Sequence, residues 1–211
     1  IKRKIKVLDI GAGGGHFLRA LEKRNVPATG FEPNKSLVSL GKRKLKKNEL
    51  ICEDLNKTYN NVLKDKTSNT LSMIGVLEHL NKPNHILKLF NKSKLYFLYI
   101  SIPLFSLSSF LENSFNKVFP RQMSGAHTHL YTKESIYYLA KKHNLKIIGE
   151  WWFGTDFPDL YRSLINTSNT YDINKYKQHL DNKLFKVINE LQHILDKNKI
   201  CSEVHIVFEK K

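Results

Sequence analysis

The chain has 211 residues, 41% of them hydrophobic, two cysteines and a formal net charge of +16. That length suits one domain whose core needs no disulfide or metal staple, and no apolar run is long enough to cross a bilayer. Cys52 and Cys201 supply neither a disulfide framework nor a metal-ligand cluster, so a reducing cytoplasm is the expected location.

In chain order, Ile1 enters the first apolar run almost at once, without an initiator Met. The expectation is that a segment carrying any targeting information is missing from the start. Strand-like runs occur at Lys6–Ile10, Ala28–Glu32, Glu49–Glu53, Thr70–Leu77 and Leu95–Ile102, and later at Leu145–Trp152 and Glu203–Phe208. Helical spacing falls between them, as in Phe17, Leu18 and Leu21, or Ile86, Leu87, Leu89 and Phe90. Such alternation predicts an α/β fold of the Rossmann-like, doubly wound kind, with helices on both faces of a mostly parallel sheet. Ligands in such sheets sit beyond the carboxyl ends of the strands.

Between the fifth and sixth runs, residues 103–131 read as a long lid-like loop ending in "GAHTHLY". A helix should begin near Thr132 and end at "KKHNL", where Asn144 suits a left-handed residue and Lys141, Lys142 and His143 suit the dipole's negative end. A helical insertion of about residues 155–200 follows, with apolar positions at Leu180, Leu184, Val187, Ile188, Leu191 and Leu195. With no internal repeat and no boundary signal, residues 1–211 read as a single domain.

The cation excess is almost all Lys, spread along the chain beside frequent Asn and Ile. An AT-rich coding sequence would produce that mixture, and this reading is favoured over a polyanion site.

The most specific stretch is "VLDIGAGGGHF" from Val7. A P-loop would close its glycines with Lys and Ser/Thr, and neither is present; the third glycine of a dinucleotide fingerprint is replaced by His16. What remains is GxGxG at Gly11, Gly13 and Gly15, preceded by Asp9. Glu32 ends the second run, where a carboxylate can accept both hydroxyls of a ribose. A nucleoside with a free diol and no pyrophosphate grip points to S-adenosylmethionine.

Over residues 7–154 the sequence resembles the class I S-adenosylmethionine-dependent methyltransferases, in the group acting on small molecules. The ordered blocks are "VLDIGAGGG", "GFEPN", "CEDL", "IGVLEHLNKP", "ISIP" and "HTHLYTKESIYYLAKKHNLKIIG". The resemblance implies a seven-stranded sheet with an antiparallel last strand. It also implies cofactor contacts from Asp9, Gly11, Ala12, Gly13, Gly15, Glu32 and Pro33, with Asp54, Leu55 and Gly75 completing the set. The chain departs from the pattern in having "NKSK" where a Gly-Gly turn commonly precedes the fifth strand, and in lacking the usual helix before the first.

"GVLEHL" follows the fourth strand in place of the Asn/Asp-Pro-Pro-aromatic motif for base or amide nitrogens, and no Pro-Cys pair is present. O-methylation of a small polar metabolite, such as a sugar or glycan intermediate, is therefore the leading expectation. An RNA methyltransferase and a cofactor-binding protein without catalysis are the alternatives. His127 and His129, at the end of the lid, are the candidate general bases. His79, Tyr131, Trp152 and Asp156 are the candidate acceptor contacts. No metal is expected, because the nearby His and Asp residues lack ligand spacing.

Overall fold

The computed structural model describes residues 4–115, 117, 120–123, 126–169 and 172–211. The expected entry of Ile1 into the first strand lies outside the described residues, as do five positions of the lid segment and two of the insertion. Among the described residues the chain runs β1 (Val7–Ile10), α1 (His16–Lys23), β2 (Ala28–Glu32), α2 (Lys35–Lys42), β3 (Glu49–Cys52), α3 (Leu55–Lys64) and β4 (Thr70–Ile74). After a 3₁₀ turn at Leu77–His79 come α4 (Pro83–Lys92), β5 (Phe97–Pro103), α5 (Leu107–Ser114), α6 (Lys133–Lys142) and β6 (Leu145–Phe153). The chain ends with α7 (Asp156–Thr167), α8 (Ile173–Leu180), a π turn at Asp181–Phe185, α9 (Ile188–Lys197) and β7 (Glu203–Lys210).

The strands form one seven-stranded, mostly parallel sheet in the order β3-β2-β1-β4-β5-β7-β6, with antiparallel pairing at its end. Parallel register sets Ile10 opposite Phe31 and Met73, and Glu32 opposite Cys52. The order reverses at β1, between β2 and β4, which is where an open α/β sheet leaves a crevice. All four residues of β1 are buried, as a central strand covered on both faces requires.

The chain divides into two compact units, one of Ile1–Ser101, Tyr138–Gly149 and Ile206–Lys211, the other of Ile102–Tyr137 and Glu150–His205. In the first, Val7, Leu18, Ala28, Val38 and Leu50 form a core cluster joining α1 and α2 to the sheet. Asn144 takes φ 52 after α6, the left-handed stop expected of it.

In the second unit the lid segment contains a helix that the sequence reading missed. Ser106 caps α5, with Ser109 returning the bond in a capping box. Asp156 sits at this unit's centre, fully buried. Its Oδ1 accepts the Ser106 hydroxyl at 2.6 Å and the Ser108 amide at 3.0 Å, and its Oδ2 accepts the Ser202 amide at 2.9 Å. One carboxylate thus ties the start of α5 to α7 and to the approach to β7. Among the described residues no helix is long and apolar enough to cross a membrane.

Candidate cofactor and active site

The glycine loop leaves β1 and turns at once into α1. Gly11 and Ala12 donate their amides to the Phe31 carbonyl at 2.9 and 3.0 Å, which fixes the loop against β2. Gly11, Gly13 and Gly15 have φ of 70, 52 and 71. These values lie in the left-handed region, where a Cβ is costly. Gly11 also faces a packing limit, since a Cβ there would approach Val76 Cγ2 to 2.5 Å. Gly13 is different: a Cβ there would meet nothing within 4 Å. Its glycine serves conformation and open space.

Glu32 closes the arrangement from the end of β2. Its Oε2 accepts the Gly13 amide and its Oε1 the Asn34 amide, each at 2.9 Å, and the residue is 9% exposed. Each oxygen keeps a second acceptor direction for a ligand hydroxyl. Next to it lies a cavity of about 260 Å³. Six residues singled out in the sequence line it: Gly11, Glu32, Pro33, Leu55, Gly75 and His79. Phe31, Ile10 and Val76 give it apolar walls, which suits a flat aromatic ring flanked by a polar sugar. The residues present fit a nucleoside-bearing cofactor.

Asp9, Ala12, Gly13, Gly15 and Asp54 do not line that cavity. Asp9 is buried inside the sheet, accepting the Ser72 hydroxyl at 2.6 Å, and burial pushes its carboxyl up to about 7. Asp54 caps α3 through the Lys57 amide at 3.0 Å. Glu53 lines the cavity instead, its Oε2 held by Asn61 Nδ2 at 2.6 Å. The sequence reading passed over Glu53. The signal was its place one residue before Asp54, since neighbouring extended residues face opposite ways.

The remaining candidates lie in the second unit. His127 Nδ1 faces the Gln122 carbonyl at 2.8 Å. A carbonyl only accepts, so this nitrogen carries a proton and donates it. His129 Nδ1 meets Thr128 Oγ1 at 2.9 Å, and its ring stacks on Tyr131 at 6.1 Å. Tyr131 is buried, and its carbonyl accepts the Phe105 amide at 2.8 Å. Two expected acceptor contacts are placed differently. Trp152 is buried beside the Lys199 ammonium, while Trp151, 62% exposed, stacks on Phe153 at 4.4 Å. Asp156 is sealed within its own unit and presents no face to solvent. Arg162 pairs with Asp159 at 3.2 Å, and Arg121 reaches the same carboxylate at 2.8 Å.

A family model described as a methyltransferase domain matches residues 1–150. The chain belongs to that family. It is a class I methyltransferase, and its cofactor is S-adenosylmethionine. A methyltransferase structure from Archaeoglobus fulgidus, SAM-dependent by its description, superposes with a TM-score of 0.62 at 19% identity, over 99% of this chain and 87% of that one. The magnesium protoporphyrin IX methyltransferase of Synechocystis PCC 6803, with bound SAH, gives 0.60 at 11% identity, over 97% and 74%. A mycolic acid cyclopropane synthase complexed with SAH and CTAB gives 0.59 at 14% identity, over 100% and 79%. At these identities the likeness establishes the fold. No curated protein matches the sequence. When bound, the cofactor supplies the methyl group from a sulfonium; this methyltransferase must hold it, align an acceptor and exclude water.

Proposed function

We propose that this methyltransferase transfers the methyl group to a hydroxyl oxygen of a small polar metabolite, such as a sugar or glycan intermediate. The observation that carries the reading is the His127–Gln122 hydrogen bond, which fixes the tautomer a general base needs. His127 takes the acceptor's proton as the oxygen attacks, and His129, bonded to a hydroxyl and stacked on a ring, is the weaker candidate. On the cofactor side Glu32 accepts the ribose hydroxyls. The backbone of Gly11, Ala12, Gly13 and Gly15 lets the ligand approach, with Asp9 supporting the loop from within the sheet. Pro33, Leu55 and Gly75 flank the nucleoside, and Glu53, which faces the cavity, takes the place of Asp54, which caps α3. His79, Tyr131 and Trp152 remain the candidate acceptor contacts; Asp156 drops out because Ser106, Ser108 and Ser202 take up its carboxylate.

The test is incubation with methyl-labelled cofactor and three acceptor classes: monosaccharides and their phosphates, lipid-linked glycans, and total RNA. Label in an alkali-stable ether of a carbohydrate supports the proposal. Label confined to RNA, or to a nitrogen of any acceptor, overturns it.

A further inference from the structure

In the first unit the cations are distributed unevenly between the two ends of the parallel strands. The connections from strand ends to helix starts, which carry the cofactor loop and the cavity, span residues 11–15, 33–34, 53–54 and 75–82. Their one lysine or arginine is Lys82. The segments that lead into the amino ends of β1 to β5 are different. Lys4 and Lys6 precede β1, and Arg24 precedes β2. Arg43, Lys44, Lys46 and Lys47 precede β3, while Lys66 and Lys94 precede β4 and β5. The cofactor-side connections are held to their motifs, so the informative comparison is with the whole chain, which has 35 lysines and arginines in 211 residues. Coding bias at that density does not explain nine cations in these five short segments.

Two other ordinary causes also fall short. Cations stabilise helix C-termini, and Lys23, Lys42, Lys64 and Lys92 occupy the last turns of α1 to α4. Of the nine connection cations, Arg24 and Arg43 are the C-caps of α1 and α2 and share that cause, and the other seven are additional. Nor are they neutralised, since among the described residues none of the nine forms an ion pair. Lys6 reaches only the Thr67 hydroxyl, at 2.7 Å. Of the acids on this side, Glu22 is taken up by the Lys46 and Lys47 amides and Asp65 by the Thr67 and Ser68 amides. Glu49, exposed at the start of β3, and Glu209, beside Tyr96 near the end of β7, are the remaining ones.

We infer that the amino-end face of the first unit docks the phosphate backbone of a nucleic-acid duplex. The strand order β3-β2-β1-β4-β5 strings these cations into a row. With strands about 4.8 Å apart the row is about 19 Å long. That is roughly five or six base-pair rises of about 3.4 Å each. A row matches a linear polyanion. These segments hold no exposed aromatic side chain, which removes the stacking platform of a single-strand binder, and their one exposed large apolar side chain, Ile5, is a single anchor where a membrane-surface binder presents a whole apolar face. The cations are mostly Lys, which hold phosphates as point charges and read no bases. Docking is therefore expected without sequence preference. The face lies at the opposite strand ends from the cofactor cavity, so the duplex is a tether and not the methyl acceptor. The inference stands whether or not the acceptor is a sugar.

The experiment is fluorescence anisotropy of a labelled 20-base-pair RNA duplex with the full chain, beside sedimentation with vesicles containing phosphatidylserine. About five phosphate contacts should lower affinity a few hundredfold between 50 and 200 mM salt. The triple variant K44E/K46E/K47E should weaken duplex binding at least tenfold, and so, less strongly, should K66Q/K94Q. Both should bind cofactor as the parent does, which establishes that they fold. A control, K175E/K183E/K186E, makes the same change in net charge elsewhere and should bind the duplex nearly as well as the parent. Equal losses in the control and the triple variant would overturn the inference by reducing it to net charge. Binding to vesicles in preference to the duplex, or no measurable duplex binding at 50 mM salt, would also overturn it.

Discussion

The Gly13 amide donates to Glu32 Oε2 at 2.9 Å, so the carboxylate that ends β2 also sets the crest of the glycine loop. Two features that stand 19 residues apart in the sequence are one device. Glu32→Ala removes a ribose acceptor and the loop's support together. Cofactor affinity should fall by one to two orders of magnitude, in line with roughly 1.5–3 kcal/mol per hydrogen bond to a charged group. Isothermal calorimetry with S-adenosylhomocysteine measures this. An unchanged dissociation constant would remove Glu32 from the ribose.

Gly11 and Gly13 separate packing from ligand access. A Cβ at Gly11 collides with Val76, whereas one at Gly13 has space but sits at φ 52. Gly13→Ala should lower stability by only about 1–2 kcal/mol of backbone strain while strongly weakening cofactor binding. Gly11→Ala should cost more stability than that. Thermal melts with and without cofactor product distinguish them: if the product stabilises Gly13→Ala as much as the parent, no ligand approaches that residue.

Asp9 makes stability depend on pH near neutrality. Burial raises its folded carboxyl from 3.8 to about 7, so from pH 4 to pH 7 the folded state holds a proton that the unfolded state has released. Stability therefore falls as pH rises through that window, by up to about 4 kcal/mol. Asp9→Asn keeps an acceptor for the Ser72 hydroxyl and should flatten the slope. Urea midpoints at pH 4.5, 6 and 7.5 measure it, and parallel pH curves for the parent and the variant would refute the assignment.

Asp156 anchors the second unit by accepting from donors that reach it from α5 and from the approach to β7. Asp156→Ala strands the Ser202 amide in the interior, takes one of two acceptors from the Ser108 amide and one from the Ser106 hydroxyl, and should cost about 3 kcal/mol. Gly154→Ala should also destabilise, because its Cβ would stand 2.5 Å from Asp156 Oδ2. Denaturation midpoints for both variants, set against Trp151→Ala as a surface control, measure the difference. A midpoint for Asp156→Ala equal to that of the control would refute the anchoring role.

His127→Gln should lower turnover about a hundred- to ten-thousandfold with little change in cofactor affinity, once the acceptor is in hand. The same loss in His129→Gln and none in His127→Gln would reverse the roles of the two imidazoles.

The sequence by itself determined the alternation of strands and helices, the glycine loop and the position of Glu32. Each rests on something the chain carries locally: apolar spacing, positive φ at Gly11, Gly13 and Gly15, or an acid at a strand end. The α5 helix was also written locally, in the Ser106 and Ser109 capping pair, but the apolar spacing beside it is too short to announce a helix. Other assignments waited for the tertiary structure. Glu53 and Asp54 are adjacent acids, and only the course of the chain out of β3 decides which one faces the cavity. Trp151 and Trp152 are likewise neighbours with opposite fates, because a strand sends successive side chains to opposite faces and packing chooses which face is covered. Asp156 reads as a polar residue near a strand end until Ser106 and Ser202 arrive from distant parts of the chain to bury it. The lysines look evenly scattered in one dimension. They segregate only when parallel winding brings every helix-to-strand connection to the same end of the sheet, so their common face exists only in the fold.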